Sequence, residues 1–374
     1  MNKIPLLVIL ITLCASAFSM QYSLYPEDGS VEMNYWYYSG GQSGPQIKKE
    51  VIEDIEKAFR SEGVEPVVFA NYSWMQDILF FDEVGNFVEL ANLPLNEEYY
   101  DGLTMGVFES FGWGSAELTR VSGDDFFPYD KKVKSLSLAF LEGGATITGK
   151  FANGESYLIA YESRFNGMAK AYRDLMSNSA DTEEIHNYLA NDLNVKPENL
   201  IFIPTKAGSE HLDLFMKALP GGVILIDDPN RRVEVASSAL KDSSSNTLNN
   251  IMAYEEGDNY SWQKNNYKKK INLVTSLLEK KFKIISITGR FFEYFTNVNG
   301  VTTGQELINF FNGVSGVNKQ GNPFYITNMA ENDPELEDYW SKELGALGFD
   351  SKNIHYPGEY SNGSGLDCMG SPTI

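Results

Sequence analysis

The sequence predicts an α/β fold, and three observations carry that expectation. Helical and extended segments alternate along the whole chain, no Pro/Ser-rich linker separates them, and polar loops after strands recur at similar spacing. Helices are expected over Pro45–Ser61, Gly167–Ser177, Asp181–Leu193, Trp262–Lys281, Gly304–Val314 and Pro334–Leu347, where apolar residues recur every three or four positions against a charged face. Short β-branched and aromatic runs read as strands over Pro66–Ala70, Ile78–Leu90, Ser135–Leu141, Tyr157–Tyr161, Leu200–Pro204, Val223–Ile226, Lys283–Thr288 and Pro323–Thr327. Polar or glycine-rich loops stand at Trp74-Met75-Gln76-Asp77, Glu142-Gly143-Gly144, His211-Leu212-Asp213, Gly289-Arg290 and Cys368, successive marks falling 65, 69, 78 and 79 residues apart. This spacing points to five similar modules around a centre.

The chain begins with Met1-Asn2-Lys3, an apolar run from Ile4 to Leu13 and the small residues Ala15 to Ser19. That pattern is expected to be a cleavable signal peptide over 1–19, followed by a single domain over 20–374 in a secreted or periplasmic protein. The apolar run is too short to span a bilayer, which takes about 20 residues. Net charge is −21, and −22 without Lys3. The one basic run, Lys268-Lys269-Lys270, is placed on a polar helix face, so nucleic acid is a poor partner. Loss of the signal peptide removes Cys14 and leaves Cys368 without an intrachain partner. Such a thiol is a liability, a point of intermolecular pairing, or a reactive group.

Its surroundings and three other motifs bear on that choice. Cys368 lies in the glycine-rich run Ser361–Pro372, where Gly365 and its neighbours permit close backbone approach to a ligand; a flexible tail is the alternative. If His211-Leu212-Asp213 is extended, His211 and Asp213 share a face and offer a base and an acid on one wall, or else a solvated edge. Trp74 three residues before Asp77 pairs a ring with a carboxylate, which suits a planar cation, although a core tryptophan beside a strand-end aspartate has the same spelling. Three Asn-x-Ser sites, at Asn71, Asn259 and Asn362, are read as chance matches, because two of them would set a glycan beside Trp74 and Cys368.

In this order, Trp74-Met75-Gln76-Asp77, Leu141-Glu142-Gly143-Gly144, His211-Leu212-Asp213 and Gly365-Leu366-Asp367-Cys368-Met369-Gly370-Ser371-Pro372 resemble the guanidine-modifying enzyme superfamily of deiminases and amidinotransferases. The resemblance implies a five-bladed α/β-propeller with pseudo-fivefold symmetry and a central active site. It implies Cys368 as nucleophile, His211 as acid/base, Asp77 and Asp213 as guanidinium clamps, and Glu142 as a carboxylate beside His211. It implies hydrolysis through a covalent thiouronium intermediate, with no metal or organic cofactor. Export favours arginine in proteins or peptides as substrate, converted to citrulline; free arginine, agmatine, transfer to an amine and non-catalytic guanidinium binding are the alternatives. Two positions depart from the family pattern, Gln76 where many relatives carry arginine and Asp367 where agmatine and peptidyl types often carry histidine. Asp367 sets a negative charge beside the sulfur, which opposes thiolate formation unless its side chain turns away.

Overall fold

The computed structural model describes residues 22–39, 48–69, 80–90, 134–137, 143–163, 165–166, 181–208, 211–241, 245–296, 299–300, 302–330, 333–358 and 366–374. Strands are numbered in chain order: β1 (Tyr35–Ser39), β2 (Glu65–Phe69), β3 (Phe87–Leu90), β4 (Lys134–Ser137), β5 (Thr146–Lys150), β6 (Ser156–Tyr161), β7 (Leu200–Ile203) and β8 (Met216–Leu219). They continue as β9 (Val223–Asp227), β10 (Lys283–Ile287), β11 (Arg290–Thr296), β12 (Thr302–Asn309), β13 (Val314–Val317), β14 (Pro323–Ile326), β15 (Ile354–His355) and β16 (Gly370–Thr373). The helices are α1 (Lys49–Ser61), α2 (Thr182–Asp192), α3 (Arg232–Ala239), α4 (Asn246–Glu256), α5 (Ser261–Leu278) and α6 (Pro334–Gly345).

Local chemistry accounts for the helices. In α1, Val51, Ile55, Ala58 and Phe59 form one buried stripe, and Arg60 reaches back one turn to Glu56 at 2.7 Å. A capping box starts α2, with Asp181 accepting from the Glu184 N–H while the Glu184 side chain accepts from the Asp181 N–H. Ser245 caps α4, and Pro334 opens α6 at a position where a missing N–H costs no helical bond.

Four three-stranded sheets share one connectivity. In each, a first strand pairs antiparallel with a second, and the second pairs parallel with a third after a helical crossover. The sets are β5-β6-β7 with α2 in the crossover, β8-β9-β10 with α3 to α5, β13-β14-β15 with α6, and β16-β1-β2 with α1. The parallel pair β3-β4 follows a hairpin in which the Val88 N–H donates to the Phe80 carbonyl, and forms a fifth, partial unit. The C-terminal strand β16 is the first strand of the sheet whose other two strands lie near the chain's start, so that sheet ties the two ends of the domain together.

Consecutive units touch. Tyr37 stacks on Phe81 at 5.0 Å, Glu83 pairs with Lys150, the Leu212 N–H donates to the Gly144 carbonyl, Asn309 donates to the Leu214 carbonyl, and the Met33 N–H donates to the Val317 carbonyl. Aromatic and branched residues fill the space between sheets and helices. In the terminal sheet the fully buried Trp36 stacks on Phe59 at 4.2 Å and on Tyr38 at 4.9 Å.

Three sequence expectations are corrected. Gly304–Val314 is not a helix: residues 302–309 are β12, because the aromatic-rich β11 supplies a partner and the two form a hairpin from Arg290↔Asn309 to Thr296↔Thr302. Leu307, Ile308, Phe310 and Phe311 have helical spacing, but cross-strand pairing overrides it. Gly289-Arg290 therefore opens an inserted hairpin, and the loop equivalent to the other marks is Asn312-Gly313, just before β13. Finally, Lys270 is not on a solvated face; its ammonium lies 3.9 Å from the centre of the Phe215 ring, and burial holds it well below the ordinary lysine range. The expected helix over Gly167–Ser177 lies outside the described residues.

Trp36→Ala is expected to lower the unfolding free energy by about 3–5 kcal/mol in urea titration, the usual cost of emptying a large buried aromatic site. A loss below about 1 kcal/mol would mean that the terminal sheet does not hold the domain together.

Candidate active site

The loops before β5, β8, β13 and β16 converge, and the site is built from them. Gly143–Ala145 forms a single turn ahead of β5, and the turn Leu366–Met369, which carries Cys368 in its backbone, packs against it. His211 rests on the same turn: a Cβ added to Gly144 would lie 2.1 Å from Nδ1 of His211, so only glycine leaves room for the ring.

His211-Leu212-Asp213 is not extended, as expected from its sequence, but turned. The Phe215 and Met216 N–H groups both donate to the Leu212 carbonyl, and the Leu212 N–H donates to the Gly144 carbonyl at 2.6 Å. The turn buries Leu212 completely, leaves His211 half-buried and carries Asp213 inward to 2% exposure. His211 and Asp213 thus reach one region through a tight turn rather than through strand alternation.

Three residues that the sequence reading passed over complete the arrangement. Asn312 donates from Nδ2 to Oδ2 of Asp213 at 3.2 Å, and its Oδ1 accepts from the Asp367 backbone N–H at 3.0 Å. One side chain thereby ties the Asp213 turn to the turn bearing Cys368. Lys217, on β8, places Nζ 2.5 Å from Oδ2 of Asp367, with both side chains almost wholly buried. The carboxylate next to the nucleophile candidate is therefore paired with a cation.

Glu27 is the third. Its segment is stitched across neighbouring units: Tyr25 N–H donates to the Phe81 carbonyl, Glu27 N–H donates to Thr148 Oγ1, and Ser315 Oγ donates to the Glu27 carbonyl at 2.9 Å. Removal from water pushes the Glu27 carboxyl up to about 8, the Asp367 and Asp213 carboxylates add to the rise, and Lys217 opposes it. Burial alone would lower the Lys217 ammonium, but Asp367, Glu27 and Asp213 outweigh it and hold it above the ordinary lysine range. Three carboxyl groups thus face one lysine.

Signals for the missed residues exist in retrospect. Lys217 is a charge inside the otherwise apolar run Leu214-Phe215-Met216-Lys217-Ala218-Leu219, and Asn312-Gly313 stands before a strand as Gly143-Gly144 does. Trp74, Asp77, Glu142, Gly365 and the side chain of Cys368 lie outside the described residues. Among the described residues no group of three or more His, Cys, Asp and Glu is placed to hold a metal ion, and no helix is long and apolar enough to cross a membrane.

The raised Glu27 carboxyl has a consequence for stability. Between its ordinary value near 4.5 and about 8 the folded chain keeps a proton that the unfolded chain has lost, so this group makes stability fall as pH rises through that window. Urea midpoints measured from about pH 5 to about pH 8 are expected to fall less steeply for Glu27→Gln than for the wild type, and parallel profiles would contradict this assignment.

No family model and no curated protein sequence matches the chain. Solved structures do share its fold. The agmatine deiminase of C. jejuni aligns over 94% of this chain and 96% of its own, at 14% identity and a TM-score of 0.52. The agmatine deiminase of Enterococcus faecalis aligns over 95% of this chain and 97% of its own, at 11% identity and a TM-score of 0.50. The chain therefore has, over nearly its whole length, the α/β fold of agmatine deiminases, which are members of the guanidine-modifying superfamily.

Proposed function

We propose that the protein is a cysteine-dependent deiminase that hydrolyses the guanidinium of a small cationic molecule of the agmatine or free-arginine kind to a ureido group and ammonia. The observation that carries this reading is the group of buried Asp213 and Asp367 and half-buried Glu27 around Lys217, beside His211 and the turn bearing Cys368. A planar guanidinium offers paired N–H donors to carboxylates on fixed turns, which suits a cationic ligand here. The shared fold supports the small-molecule substrate over arginine in proteins.

In this reading Asp77 and Asp213 clamp the guanidinium, Trp74 covers its face, and Gly365 lets backbone approach it. Cys368 attacks the central carbon as thiolate, forming a C–S bond and a tetrahedral adduct. His211 gives a proton to the departing nitrogen, which leaves as ammonia, and a thiouronium remains on the sulfur. Water then adds to the same carbon, passing a proton to His211, and collapse breaks the C–S bond to release the ureido product and the thiolate. Glu142, next to the turn on which His211 rests, serves as a carboxylate beside that histidine. The five units, each in contact with the next, are read as blades of a pseudo-fivefold propeller with this chemistry at its centre.

The N-terminal pattern supports an exported protein and, with it, a second reading in which arginine within peptides is the substrate. Ammonia release from agmatine, free arginine and an arginine-containing peptide separates the two. Turnover is expected with agmatine or free arginine, and Cys368→Ala should lower it by about a thousandfold or more while the variant still binds the substrate. Undiminished turnover would remove Cys368 from the reaction, and a guanidinylated amine formed without ammonia would make the protein an amidinotransferase.

A further inference from the structure

We infer that Lys217 is a positioning residue for the nucleophile, which through its ion pair with Asp367 fixes the turn carrying Cys368 and offsets the negative charge of the residue that precedes it. This rests on the reading of Cys368 as nucleophile given above. Lys217 and Asp367 are 150 residues apart in sequence, yet their side chains meet at 2.5 Å with 4% and 6% of their surface exposed. The Asp367 backbone N–H is held at the same time by Oδ1 of Asn312. The residue before Cys368 is therefore gripped by its carboxylate and by its backbone, and the turn cannot shift without breaking one of the two.

Stability alone is a poor reason for this pair. Met216, Ala218 and Leu219 on the same strand are buried apolar residues, and an apolar side chain at 217 paired with one at 367 would avoid the cost of removing two charges from water. The pair has an evident use at the nucleophile. An ionised carboxylate one residue from a thiol opposes its ionisation, and an ammonium on that carboxylate cancels the opposition. Among the described residues, Glu27 from the N-terminal segment, Asp213 from the turn before β8, and Tyr325 from β14, whose hydroxyl is near both Asp367 and Asp213, face this pair.

The test is the pH dependence of iodoacetamide alkylation at Cys368, read by peptide mass after digestion of the full chain, in a double-mutant cycle of Lys217→Met and Asp367→Asn. Lys217→Met is expected to raise the alkylation midpoint by about one pH unit, and Asp367→Asn in the same chain to bring it back within about half a unit of the wild type. The same cycle in kcat against KM should show the loss mainly in kcat. An unchanged midpoint in Lys217→Met, or a double variant whose midpoint stays as high as that of Lys217→Met, would overturn the inference. Should Lys217→Met fail to fold, Asp367→Asn alone must lie below the wild type and the double variant near it; three equal midpoints would overturn the inference as well. Alkylation needs no substrate, so the expected shifts without turnover of any guanidinium would reject the proposed reaction and leave the role of Lys217 standing.

Discussion

The arrangement at the centre depends on one buried interaction, the ion pair between Lys217 and Asp367. Breaking such a pair by removing one member typically costs about 3–5 kcal/mol, because the remaining charge is left in a medium that cannot solvate it. Here the pair joins the first strand of one sheet to the turn that leads into the first strand of another. Asn312 extends the same connection to Asp213, so three loops from three units are held against one another by polar contacts rather than by packing alone. Glu27, entering from a segment stitched to β5 and β13, adds a carboxyl group that burial keeps protonated further up the pH scale than an ordinary glutamate.

These contacts explain how a chain with repeated units arrives at an asymmetric site. The units share strand connectivity, and the loop ahead of the first strand carries Gly144, Asp213, Asn312 or Asp367, two or three residues before that strand, according to the unit. Glycine makes room for the histidine ring, aspartate brings charge, asparagine donates to one neighbour and accepts from another, and the second aspartate anchors the cysteine turn. The common framework supplies placement, and the residue in each of these loops supplies a different chemistry.

Much of this was legible in the sequence because it is local. The stripe Val51, Ile55, Ala58 and Phe59 and the capping pair Asp181 and Glu184 define helices without reference to the rest of the chain. What was not legible depends on distant partners. Gly304 to Phe311 has a helix-compatible pattern until β11 is placed beside it, Lys270 reads as polar until Phe215 lies under it, and Asp367 takes an ion-pair partner, Lys217, from 150 residues away. The four motifs drew attention to His211, Asp213 and the cysteine turn, and the structure brings these together, though through a turn at Leu212 where an extended segment was expected.

The same separation accounts for the revised view of substrate. The expected export favours arginine in proteins, whereas the chain shares the fold of solved agmatine deiminases, which supports the proposed small guanidinium substrate. The central claim is that this cation is presented to Cys368 for covalent attack. The most direct measurement is peptide mass analysis of protein quenched in acid during turnover of agmatine. The account predicts a thiouronium adduct on the peptide containing Cys368 that disappears when substrate is exhausted; turnover with that peptide unmodified throughout, or an adduct confined to another residue, would contradict it.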